Sequence, residues 1–285
     1  VLSPDLAVNR ETIGITRARW QAFTGSSDRA LDPGYQVFLA DLVRPYGLTL
    51  HPDAEGGHSY GEMLAGLITG LVPADQPADA LILGFAMPDV WPGRATATFL
   101  SHVCPGDPMA FAVCDQGCAV GFTALRLARE YAADGWPRVL VAVAEQARLD
   151  YDPPAPASVP ARHAAFAMLC EACPPGAGSA SAPWLRAVRV CPDVPAGEAS
   201  KVLERELAAL ASDGRRALVL GEGLAPLAGD GWPDALALPP GQPVTGVWRE
   251  LADWAAAPRG DGLVLADYDP ALRYLCLAAF AGPPA

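Results

Sequence analysis

The sequence predicts an α/β fold of two related halves, each a parallel sheet covered by helices. Three observations lead there. From Asp79 onward, short apolar runs of buried-strand type alternate with amphipathic helical stretches. A Gly/Ser/Ala/Pro stretch at residues 174–183 interrupts that rhythm, which then starts again. The chain has 285 residues, enough to bury one large core or two moderate ones.

Residues 1–75 are mixed in pattern, with helical periodicity at 36–46 and at 60–71. Residues 80–86 form the first buried-strand run, broken by Pro88 and Pro92, and 94–102 is helical. A second strand is expected at 109–114. It leads into a strongly periodic helix over 118–134 (Phe122, Leu125, Tyr131) that closes on Gly135. A third strand follows at 138–144, a Pro-rich loop at 150–160, and a further strand at 163–170. After the 174–183 linker come a strand at 184–191, a charged amphipathic helix at 197–212 and a strand at 217–221. A helix at 244–256 and a strand pair at 262–266 and 272–280 complete the chain. The organisation is thus a half at 1–175 and a half at 184–285, with no internal sequence repeat.

Composition excludes several classes. The net charge is −12, against the clustered Lys/Arg that a phosphate-binding surface needs, so nucleic acid is not a partner. Hydrophobic residues make up 51% and mean hydropathy is +0.19, but no apolar run is long enough and free enough of charge or Pro to span a membrane. Residues 1–5 lack a basic segment followed by an apolar one, so no signal peptide is expected. Seven unevenly spaced cysteines do not form a disulfide framework, which fits a reducing cytoplasm. Cys170-Glu171-Ala172-Cys173 is a lone pair without a second at zinc-site spacing, read as one thiol in a strand and one in the loop after it. No metal site and no nucleotide-binding fingerprint is present.

The sharpest local feature is Asp115-Gln116-Gly117-Cys118-Ala119-Val120-Gly121-Phe122. A buried strand ends at Cys114 and a long helix begins near Cys118, with only a tight turn between them. A side chain there meets free backbone N–H groups and the positive end of the helix dipole. On those grounds the Cys118 thiol is expected to ionise easily and act as a nucleophile. Its plainer reading is a small buried apolar residue.

From 79 to 145 the chain resembles the N-terminal half of type III ketoacyl-ACP synthases, a branch of the thiolase superfamily. The resemblance rests on Leu81-Ile82-Leu83-Gly84-Phe85-Ala86-Met87-Pro88-Asp89, on Pro92-Gly93-Arg94-Ala95-Thr96-Ala97, on the Cys118 motif, and on the run from Arg138 to Glu145. Residues 2–9 are similar to the family's opening segment, and Gly260-Asp261-Gly262-Leu263-Val264-Leu265 to its closing strands. The resemblance implies a thiolase-like five-layered α-β-α-β-α fold, a homodimer joined through the strand at 109–114, and Cys118 as the acyl-accepting cysteine. It also implies an acyl carrier protein or a CoA thioester as donor, with no bound cofactor.

The second half departs from the family pattern. The family uses a His and an Asn there, yet this chain's four histidines (His51, His58, His102, His163) all precede that half. Alignment sets Glu222 at the His position and Gln242 at the Asn position. Three functions follow as expectations. The first is an acyltransferase that loads Cys118 and passes the group to a nucleophilic acceptor, with Glu222 as base. The others are a condensing ketosynthase without the standard dyad, and a non-catalytic ketosynthase-like partner.

Overall fold

A computed structural model describes residues 12–25, 33–51, 57–91, 94–152, 158–173, 182–210, 216–228 and 231–282. The family-like opening at 2–9, most of the 174–183 linker and the middle of the 150–160 loop lie outside the described residues.

The described residues form ten strands and six α-helices. The first half holds β1 (Thr12–Phe23), α1 (Pro33–Val43), α2 (Tyr60–Leu71), β2 (Ala80–Phe85), α3 (Thr96–Val103), β3 (Met109–Cys114), α4 (Ala119–Ala133), β4 (Arg138–Glu145) and β5 (His163–Cys173). The second holds β6 (Trp184–Cys191), α5 (Ala199–Ala209), β7 (Arg216–Leu220), β8 (Leu236–Ala237), α6 (Gly246–Ala256), β9 (Gly262–Asp269) and β10 (Tyr274–Ala281).

Hydrogen bonding orders the strands β3-β2-β4-β5-β1-β6-β10-β9-β7-β8. Read outward from the β1–β6 junction, the two sides mirror one another: β5, β4, β2, β3 on one, β10, β9, β7, β8 on the other. The junction is a single pair, Gly14 with Trp184, so two five-stranded sheets meet there and share one edge. The expected all-parallel arrangement is corrected to a mixed one. β2, β3 and β4 are parallel, as are β7, β8 and β9, whereas β5 with β4 and β1, and β10 with β9 and β6, are antiparallel. For β9 and β10 this follows from the tight turn that joins them, since only antiparallel neighbours can be joined that way.

Three apolar clusters define the layers. α2 and α3 cover the outer face of the first sheet, with Tyr60, Leu64, Leu67 and Leu100 packed on Leu81, Leu83, Leu140 and Ala142. α5 covers the outer face of the second, with Leu203 against Leu220, Ala266 and Leu277. Between the inner faces lie α4 and α6, whose Phe122, Leu125, Trp248 and Leu251 pack on Val141 and Phe166 of one sheet and on Leu265, Cys276 and Phe280 of the other. The result is five layers, α-β-α-β-α. Among the described residues no helix is long and apolar enough to cross a membrane.

Three elements differ from the sequence expectation, one of them the two-residue β8, which the sequence pattern did not show. β1 was not foreseen, because a register shift between Ile15 and Arg17 breaks its alternation. Ile13 and Ile15 face the middle layer before the shift, Ala18 and Trp20 after it, so no single period runs through the strand. β5 continues through Cys173, so both thiols of the Cys170/Cys173 pair are strand residues; the second is not in a loop.

The two middle helices meet at Gly121. A Cβ there would run into the Trp248 indole, which packs on Phe122 with ring centroids 4.9 Å apart. Gly121→Ala should therefore lower stability by about 1–3 kcal/mol through overpacking, seen as a lower urea midpoint at unchanged slope.

Candidate active site

Sequence places a cysteine at a strand-to-helix turn, and the turn is tightly specified. Asp115 and Gly117 both take left-handed backbone, with φ of 60° and 53°. Gln116 bridges the turn: its carbonyl accepts from Ala119 N at 3.0 Å and its side-chain Oε1 from Thr123 Oγ1 at 2.7 Å. Cys118 then occupies the N-cap position of α4. Gly117 is required twice, once for its φ and once because any side chain would overlap the Asp269 carboxylate.

Cys118 is 5% exposed and its thiol is raised well above the ordinary cysteine value. The causes, largest first, are a hydrogen bond with the Cys276 thiol, burial, and the charges of Asp267, Cys276 and Asp269. This corrects the expectation of an easily ionised thiol. The helix end does favour an anion, but Asp269 already sits against Gly117 at that end, so a thiolate would be a second negative charge in a buried space. The exposed thiol of this region is Cys114, itself raised by its hydrogen bond to Asp115.

The acids arrive from β9 by simple alternation. Leu263 and Leu265 face the middle layer, so Asp267 and Asp269 continue the same face at the strand's end. Cys276 stands directly across from Asp267 in the antiparallel pair and shares that face. Asp267 is 3% exposed; it accepts from Tyr268 N at 2.8 Å and from Gly223 N. Burial, with Glu222 and Asp269 adding to it, raises its carboxyl to about 8 against those two hydrogen bonds. The glycines flanking Glu222 are explained here: a Cβ at Gly221 would collide with the Asp267 carboxyl, and one at Gly223 with the Tyr268 carbonyl.

The matching strand of the first half ends in the same way. Val139, Val141 and Val143 face the middle layer, and Glu145 follows on that face. Its carboxyl accepts from Val244 N at 2.9 Å, Thr245 N at 3.0 Å, Thr245 Oγ1 and Gln242 Nε2. Burial raises Glu145 to about 7 in spite of those donors. It thus caps the start of α6 from the opposite sheet.

Glu222 and Gln242 are brought together, but toward each other's loop. Glu222 Oε2 accepts from Gly241 N at 2.7 Å and Gln242 N at 3.2 Å. Gln242 Nε2 donates to Glu145 Oε1 at 2.5 Å and to Arg162 O at 3.4 Å. Glu222 is among the charges acting on Asp267, whereas the carboxylates acting on Cys118 are Asp267 and Asp269. The histidines are placed elsewhere: His51 on Asp152, His58 on Thr24 O, His102 beside Asp107, and His163 Nδ1 accepting from Ala147 N.

This architecture has counterparts among solved structures. One is AbyA1, a tetronic acid condensing enzyme, with a TM-score of 0.67 and 17% identity over 95% of this chain and 100% of that one. The thiolase-like fold is therefore the fold of this chain. Xanthomonas campestris OleA shares it, with a TM-score of 0.64 and 13% identity over 96% of this chain and 99% of the other. So does the OleA structure with bound lauric acid and lauroyl-CoA, at a TM-score of 0.65 and 13% identity over 96% and 100% of the two chains. No protein-family model matches the chain, and no curated protein matches it in sequence.

Sequence reading missed Asp267, Asp269, Cys276 and Glu145. The signal was present, as acids at the end of strands whose alternate residues are Leu or Val, in phase with the buried face. Asp267 also has a thermodynamic signature. Its folded value lies above its unfolded one, so its cost is absent below about pH 4 and grows as pH rises toward about 8. Asp267→Asn should therefore match the wild type in stability near pH 4 and exceed it increasingly up to pH 8. Thermal melts across that range would check this.

Proposed function

We propose that the protein is an acyl-transferring enzyme. Cys118 takes an acyl group from an acyl carrier protein or CoA thioester and passes it to a nucleophilic acceptor, in polyketide-type specialised-metabolite biosynthesis. The observation that carries this reading is the place of Cys118, at the head of a middle-layer helix in the condensing-enzyme fold, with no histidine among the groups acting on it. The donor class draws support from the lauroyl-CoA bound in OleA and the setting from AbyA1.

Electrostatics favours transfer over decarboxylative condensation. Condensation builds carbanion and enolate charge that donors must stabilise, and each such donor lost costs about 100- to 1000-fold in rate. Asp269 would oppose that charge, joined by Asp267 as it ionises toward about pH 8, and the Gln242 amide donates to Glu145 and Arg162 instead. Attack by a hydroxyl or amine needs a proton acceptor, which a carboxyl supplies. No resident cofactor is needed. We place the protein in the cytoplasm, where its seven free thiols stay reduced. The same reading makes it a homodimer joined through β3, an edge strand whose Met109, Ala112 and Cys114 are exposed.

The burial of Cys118 and its raised thiol favour a second reading, a non-catalytic partner of another synthase or carrier. Intact-protein mass spectrometry after incubation with acyl-CoA and acyl carrier protein thioesters separates the two. We expect an acyl adduct on the wild type, none on Cys118→Ala, and no CO2 from malonyl carrier protein. Absence of an adduct with every donor would favour the partner, and CO2 release abolished by Cys118→Ala would favour a condensing enzyme. Sedimentation should give a dimer that dissociates only on dilution; a monomer at every concentration would remove the β3 interface.

A further inference from the structure

For Cys118 to attack a thioester, its proton must go somewhere, and the usual acceptors are absent. All four histidines are placed on other partners. Glu222 is held by two backbone N–H groups of the 241–242 turn, and Glu145 by four donors at the start of α6. Asp269 is tied by its Oδ1 to Ala271 N at 3.0 Å and Leu272 N at 2.9 Å.

Asp267 is different in place and in environment. It leaves β9 toward α4, on the face it shares with Cys276, and Cys276 is the hydrogen-bond partner of the Cys118 thiol. Like Glu222 and Asp269, Asp267 accepts from two backbone N–H groups, which use only part of what a carboxyl's two oxygens can accept, so what sets it apart is its place beside Cys276. The bare Gly221 and Gly223 keep a slot in which this carboxyl is seated, so its position is built into the chain rather than incidental.

We propose that Asp267 is the base that takes the Cys118 proton, a reading that rests on acyl transfer at Cys118. In the step, the S–H bond breaks and the proton passes to an Asp267 oxygen as sulfur bonds to the thioester carbonyl carbon. When the donor's C–S bond then breaks, the proton returns from Asp267 to the departing thiolate, and no other reactant is consumed. An ordinary aspartate is too weak a base for a thiol. Burial brings Asp267 to about 8, well above an ordinary aspartate and so nearer to the raised Cys118 thiol. The titratable groups facing it are Cys118 from α4, Cys276 from β10, Glu222 from the turn after β7, and Asp269 from β9 itself.

The test uses a sign. If Asp267 were only a nearby negative charge, Asp267→Asn would ease thiolate formation and speed alkylation of Cys118. If it is the base, the same change slows it. Iodoacetamide labelling of the reduced full-length protein, mapped to the Cys118 peptide from pH 6 to 10, should rise through an inflection near 8 in the wild type. Asp267→Asn should abolish the inflection and slow labelling at pH 8 by roughly 100-fold, the lower end of what a positioned base contributes. Asp269→Asn should keep the inflection and label faster. Unchanged or faster labelling in Asp267→Asn, or an inflection lost in Asp269→Asn instead, would overturn the proposal. If Asp267→Asn does not fold, a wild-type profile with no inflection below the thiol's own ionisation overturns it equally. Octanoyl-CoA is run in parallel. Failure to acylate with the labelling pattern intact strikes the acyl-transfer reading and leaves the base, and a Cys118 inert to both reagents at every pH overturns both.

Discussion

The packing of α4 against α6 between two sheets is the constraint on which the rest depends. Among the described residues the two helices cover both inner sheet faces, and Gly121 lets the Trp248 indole lie directly on the α4 backbone. Such a middle layer leaves the first turn of each helix buried, where unpaired N–H groups are costly. The fold answers with an acid from the opposite half. Glu145 of the first sheet binds the start of α6, and Asp269 of the second sits at the turn before α4. The mirrored strand order makes the exchange possible, since β4 and β9 hold equivalent places in their sheets.

That solution shapes the chemistry available at Cys118. A site whose fixed charges are carboxylates disfavours any pathway that accumulates negative charge beside the sulfur, and favours one that moves protons. Asp267, Asp269 and Cys276 come from the two closing strands, β9 and β10, so the end of the chain supplies the environment of a residue less than halfway along it. The family alignment directs attention to Glu222 and Gln242, but their hydrogen bonds tie the 241–242 turn and hold Glu145 beneath the start of α6.

Much of the architecture was legible because burial in this fold is one-dimensional in sequence. β2 and β4 are covered on both faces and read as continuous apolar runs, and α4 shows its period plainly. β1 escaped because its bulge changes the core face partway along. The strand-end acids escaped because a single Asp after Leu and Val reads as the start of a loop.

The sequence by itself determined the alternation of strands and helices, the turn that presents Cys118 and the absence of a histidine from the second half. Those are local or compositional properties, set by neighbours within a few residues. Only the tertiary structure decided the state of the Cys118 thiol. A helix N-terminus lowers a thiol's pKa, but the sum over Cys276, Asp267, Asp269 and loss of water raises it. Those groups lie about 150 residues away in the chain, and no local pattern carries a charge across that separation.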